Sequence, residues 1–257
     1  MGKDMTRGNI VKVLLLFTIP LVLSGLFQQL FNWVDAFIVG NVEGELPLAS
    51  IGATTAVYNL CITAIIGFTS GLSVLSAQQH GRREYWKMRE TLFSFMAILG
   101  GIFLLVTLVG IAFTTSIVDI LDTPERLTVI ASQYLKIMLI GVPFLAIYNV
   151  YTGVLRGAGD SKAPFVSIII SSLANVVLDI FFVAVLRQGA AGAAVATVIS
   201  QIAMTLYIIF YTEKTYPYLK YRVEKKIFEK SNLAKGTQFG VPPTIQASIS
   251  SVGNIVL

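Results

Sequence analysis

The chain has 257 residues, 55% of them hydrophobic and only 13% charged, with a mean hydropathy of +0.75. A soluble globular chain carries about 25% charged residues, so this composition excludes an ordinary water-soluble domain and points to repeated membrane crossings. The net charge of +5 does not mark a nucleic-acid binder, because the basic residues sit in short loops where the translocon and anionic lipid read them.

The apolar runs predict an all-α integral membrane protein, a bundle of six transmembrane helices plus the start of a seventh. In chain order the helices are expected over Ile10–Gly40, Leu48–Gln78, Thr91–Thr114, Leu127–Gly153, Ala163–Leu186 and Ala190–Tyr211. A seventh opens near Leu233 and is still running at Leu257. The predicted division is a six-helix lobe over 1–211, a cytoplasmic linker over 212–232 and the truncated start of a second lobe over 233–257. Within the linker, Val223–Asn232 has the pattern of a short amphipathic helix on the inner leaflet. The first run lacks a small-residue cleavage site and is too long for a signal-peptide core, so it reads as a mature helix.

Orientation follows from the 19 Lys and Arg residues. Those before or opening the first helix (Lys3, Arg7, Lys12), between the second and third, between the fourth and fifth (Arg156, Lys162) and after the sixth all fall on one side. Only Arg126 and Arg187 fall on the other, among Glu43, Glu45, Asp119, Asp122 and Glu125. The basic side is the cytoplasmic side, which puts the N-terminus inside, in a plasma or inner membrane. Lys136 remains within the fourth helix, where it either snorkels outward or meets a polar interior.

The seventh helix repeats the first. Phe17, Pro20 and Asn32 recur at one constant interval as Phe239, Pro242 and Asn254. After an even number of spans, this suggests a parallel two-fold repeat, with the chain as the first half of a longer protein.

Polar side chains inside the spans carry the functional reading. Ser24, Gln28, Asn32 and Asp35 share one face of the first helix, Ser172, Asn175 and Asp179 one face of the fifth, and Thr197 and Gln201 one face of the sixth. A carboxylate in a spanning helix costs roughly 2.5–3.5 kcal/mol even on the lenient insertion scale. Asp35 and Asp179 both lie roughly 7–10 Å below the outer hydrocarbon edge, and Thr197 reaches a similar level from the opposite direction. Two nearby carboxylates in a low dielectric do not both ionise easily, so they would share a proton or hold Na+ with amide and hydroxyl oxygens. The competing reading is that each group only bonds one helix to another.

No soluble-enzyme constellation is present, and no cofactor is expected beyond a coupling ion. His80 is the only histidine and reads as an interfacial residue; Cys61 is the only cysteine and reads as a small core hydrophobe. Gly157 and Gly159 in RGAGDSK lack phosphate-loop spacing and read as a tight turn.

Several stretches resemble one family. NWVDAFIVGNVEGELPLASIGAT, AQQHGRREYWKMRE, GVLRGAGDSKAP, NVVLDIFFV and GAAGAAVATVIS are similar, in order and spacing, to motifs of the N-terminal half of multidrug and toxic compound extrusion (MATE) transporters. The resemblance implies twelve helices in two lobes, monomeric when full length, exporting organic cations or drugs in exchange for Na+ or H+. It also implies a cation site at Asp35, Asn175, Asp179 and Thr197, with Asn149 at a further family position. Gln28, Asn32 and Gln201 are candidates for the substrate cavity. The alternative is a flippase for lipid-linked oligosaccharides, which would need cationic residues to meet pyrophosphate. A channel or non-transporting subunit would tolerate loss of both carboxylates.

Overall fold

The computed structural model describes residues 9–43, 45–121 and 123–221, together with Gln238, Pro242 and Ile245. The helices are α1 (Ile10–Glu43), α2 (Glu45–Gly81), α3 (Tyr85–Ala112), α4 (Thr114–Ile120), α5 (Glu125–Gly157), α6 (Lys162–Asp179) and α7 (Gly189–Thr215). There is no β-strand among the described residues. All of these but α4 are long and apolar enough to cross a membrane. The six expected spans are therefore α1, α2, α3, α5, α6 and α7. Apart from three helical positions, Gln238, Pro242 and Ile245, the expected seventh helix lies outside the described residues, as does most of the linker, Val223–Asn232 included.

Most span ends differ from expectation by a few residues, and the third and fifth spans differ most in kind. The third span opens at Tyr85 rather than Thr91, because Met88, Thr91 and Leu92 present a buried face while the charged residues occupy the other side of the same turns. It stops at Phe113, whose backbone leaves the helical region (φ −105°, ψ 16°), and resumes as α4. The fifth span is not uniform: α6 ends at Asp179 and continues as a π-helical turn, Ile180–Val185.

Lipid tails are as apolar as Leu, so helices associate in a membrane through close packing and interhelical hydrogen bonds rather than the hydrophobic effect. The central helix, α5, packs on α2, α3 and α7, and Ile65, Leu72, Leu92, Leu135, Leu155 and Ile208 are fully buried around it. Gly153 and Gly157 let α5 approach the α2 backbone: a Cβ at Gly153 would stand 3.1 Å from the Thr69 carbonyl oxygen. α1 lies at the margin, chiefly along α6, with Trp33 and Phe37 exposed, a surface suited to hydrocarbon rather than water.

Pro143 sits inside α5 and has no N–H to give the carbonyl of Leu139, four residues back. Thr107 of α3 fills that gap: its hydroxyl donates to Leu139 O at 2.8 Å, in the buried core. Thr107→Val keeps the shape and strands the carbonyl, so it is expected to destabilise the protein by about 1–3 kcal/mol. A lowered melting temperature in detergent checks it, and an unchanged one contradicts it.

The turn between α5 and α6 is organised by Asp160. Gly159 takes φ 81°, and Asp160 N–H returns to Leu155 O at 2.8 Å, closing α5 in a Schellman-type cap. Asp160 Oδ1 accepts the N–H groups of Lys162 and Ala163, both at 3.1 Å, and so starts α6. Its Oδ2 accepts the phenols of Tyr211 (3.0 Å) and Tyr216 (2.7 Å), tying the end of α7 to the same turn. Tyr218 continues this cluster against Tyr85 and Tyr216; burial first, then Tyr85 and Asp160, pushes its phenol up to about 12. Asp160→Ala removes four hydrogen bonds, two of them from the phenols of Tyr211 and Tyr216. The expected cost is about 3 kcal/mol or more, read as a loss of melting temperature well beyond that of Tyr216→Phe, which removes one of the four.

Candidate functional site

Asp35 from α1 and Asp179, the last residue of α6, bring their carboxyl groups within hydrogen-bonding reach of one another. Asp179 is 0% exposed, while Asp35 is partly exposed. Asp35 Oδ1 and both oxygens of Asp179 are buried and receive no hydrogen bond from a donor. Two carboxylates are both acceptors, so this contact becomes a hydrogen bond only when the pair holds a proton. A cation bridging the oxygens would satisfy them equally. Among the described residues no three His, Cys, Asp or Glu cluster as metal ligands, so a bridging cation would draw its remaining ligands from neutral oxygens.

Those oxygens stand beside the pair. Asn175 lies one turn before Asp179 on α6, and its Nδ2 is 3.5 Å from Thr197 Oγ1 on α7. Both are partly exposed, and the contact is at the long limit of a hydrogen bond. The four residues thus form two contacts, Asp35–Asp179 and Asn175–Thr197, one helical turn apart along α6.

Two tyrosines extend the cluster. Tyr134 of α5 is buried and lies within electrostatic range of Asp35, Asp179 and Tyr58. Tyr58 of α2 accepts a hydrogen bond from Gln201 Nε2. Neither tyrosine was singled out in the sequence, since an aromatic residue in an apolar run reads as packing. The available signal was depth: Tyr134 lies on the early part of α5, which runs opposite to α1 and α6, near the level of the carboxylates.

Of the remaining candidates, Gln201 joins the tyrosines rather than the carboxyl pair, and the others fall elsewhere. Gln201, expected to line a cavity, is instead buried, bonded to Tyr58 and packed where a Cβ at Gly141 would collide with it. Asn149 donates to Leu145 O at 2.8 Å within its own helix; it is about 22 Å along α5 from Tyr134 at 1.5 Å per residue, so it does not join the carboxyl pair. Gln28 is exposed, and the side chain of Asn32 lies outside the described residues. Ser24, on the same stripe, gives its hydroxyl to Pro20 O at 2.7 Å. Lys136 is exposed, as a snorkelling lysine would be.

The MatE family model matches residues 20–181. The chain belongs to the MatE family. It is 31% identical over 256 residues to the probable multidrug resistance protein YpnP of Bacillus subtilis (strain 168), covering 99% of this chain and 57% of YpnP. It is 23% identical over 253 residues to the multidrug export protein MepA of Staphylococcus aureus (strain MRSA252), covering 98% and 56% of the two. Among solved structures, an outward-facing MATE family transporter of the MOP superfamily superposes with a TM-score of 0.88 at 23% identity, over 96% of this chain and 55% of that one. A MATE structure in the bent conformation gives 0.86 at 23% identity, over 95% and 55%. The MatE chain described here thus spans about half the length of the curated relatives it matches. Its six apolar helices and its family make it a multi-pass membrane protein.

Proposed function

We propose that this chain forms the first, six-helix lobe of a cation-coupled multidrug exporter in the plasma membrane, with its N-terminus in the cytoplasm. The observation that carries the reading is the Asp35–Asp179 contact between two spanning helices, an acidic pair that is costly inside a membrane unless a proton or another cation neutralises it. The names of its relatives, a multidrug resistance and a multidrug export protein, support small organic cations or drugs as cargo. The Lys and Arg bias supports the orientation. Cation binding at the pair, with Asn175 and Thr197 as flanking oxygens, would favour one of two arrangements of the lobes and release cargo on the far side. The coupling ion is H+ if the two carboxyls share a proton, and Na+ if Asn175 Oδ1 and Thr197 Oγ1 turn to complete a shell of oxygens. A lipid-linked oligosaccharide flippase is less well supported, because the groups around the pair are acidic or neutral and offer nothing to a pyrophosphate.

The test uses the full-length protein in energised vesicles. Efflux of a fluorescent organic cation is followed under an imposed Na+ gradient and, separately, under a pH gradient. One of the two gradients should drive efflux. Efflux indifferent to both would contradict the proposal.

A further inference from the structure

Each polar element of the carboxyl cluster has a buried apolar residue one helical turn beyond it, on the side of the α1–α2 and α6–α7 connections. Val39 follows Asp35 by four positions on α1, Val183 follows Asp179 by four on the π-helical turn, and Ala193 precedes Thr197 by four on α7. Val39 and Val183 are 0% exposed and Ala193 1%, and the three pack together with Ile38 and Ile51 against them. α1 and α6 run one way and α7 the other, so positions four beyond Asp35 and Asp179 and four before Thr197 fall near one level, and the tertiary arrangement packs them into a layer roughly one helical turn from the carboxyl-bearing residues.

Asp35, Asn175 and Thr197 are each partly exposed, whereas Val39, Val183 and Ala193 are at most 1% exposed, and their side chains offer a hydrated cation no donor or acceptor. Apolar constrictions of this kind close a path by excluding water. Val183 stands on a π-helical turn that begins directly after Asp179, and such turns occur often at functional sites.

We infer that Val39, Val183 and Ala193 form an apolar seal that closes the cation site toward the α1–α2 and α6–α7 end and so fixes the side from which it exchanges its cation. The inference rests on the carboxyl pair being the cation site, and its test is independent of transport. In full-length protein with Cys61 and any further cysteine replaced by Ala, Asp179→Cys is exposed to a small membrane-impermeant methanethiosulfonate reagent from each face in turn, and labelling is followed by mass. Val39→Ala with Val183→Ala should raise the labelling rate at least tenfold from the face of the α1–α2 connection, with little change from the other. Asp35→Cys, partly exposed already, should label at similar rates in both backgrounds. Val183→Ile, which thickens the layer, should label no faster than the unaltered seal.

Equal rates with and without the two alanines, a contrast from the opposite face, or faster labelling of Val183→Ile would overturn the seal. Asp35→Cys rates that differ between the two backgrounds would overturn it too, because access would then have changed on both flanks. Coupled efflux that survived Asp179→Asn would instead remove the cation site while leaving the labelling contrast in place, so the two failures are distinguishable.

Discussion

Asp179→Asn is expected to stop cation-coupled efflux while leaving the protein at wild-type abundance and melting temperature. The amide has nearly the shape of the carboxyl, so packing around the fully buried Asp179 is preserved. What is lost is a group able to take up and release a cation. The amide also donates to Asp35 permanently, fixing a contact that has to form and break in a working cycle. Efflux should fall at least tenfold, equivalent to about 1.4 kcal/mol. Asp35→Asn should behave alike, and the double variant should be little worse than either, because two members of one coupled pair do not add. Full gradient-driven efflux in Asp179→Asn would mean that the carboxyl is structural.

The second large effect is on folding. A Cβ at Gly157 would lie 2.6 Å from Ser76 Cβ, 2.7 Å from the Ser73 carbonyl oxygen and 2.8 Å from Ala77 N. Two of these are backbone atoms of α2, which have no rotamer to change, so the helices themselves must separate at the end where Asp160 and its tyrosines hold the turn. Gly157→Ala is expected to cost about 1–3 kcal/mol, the usual range for overpacking, and Gly157→Leu to prevent accumulation of folded protein. The check is melting temperature for the alanine variant and membrane abundance for the leucine variant. Gly100→Ala serves as the control, since its Cβ would meet nothing closer than Ile147 Cγ1 at 3.7 Å. Equal behaviour of Gly157→Ala and Gly100→Ala would contradict the close approach of α5 to α2.

The spans were legible because hydropathy and length decide them almost alone. Asp35 and Asp179 were legible because a carboxylate in a spanning helix needs a reason, and their shared depth on two helices running the same way restricts where it can find one. The misses come from pairings between distant parts of the chain. Pro143 announces a free carbonyl at Leu139, but nothing local says that Thr107 will cap it. Asp160 reads as part of a Gly-rich turn; its reach to Tyr211 and Tyr216 depends on how α7 packs. Gln201 was read from its spacing to Thr197, which fixes a shared helix face but not the neighbour, and the neighbour is Tyr58. The π-helical turn after Asp179 has no signature in IFFVAV; it lets Val183 pack with Val39 and Ala193.

A carboxyl pair that couples export to a cation has to give that cation up when cargo binds. Purified full-length protein in weakly buffered detergent solution, with a pH indicator and a Na+ electrode present, is titrated with an organic cation that the vesicles export. Release of H+ or Na+ approaching one per protein in the wild type, and none from Asp179→Asn, is the predicted result. Equal release from both proteins, or none from either while the cargo binds, would contradict it.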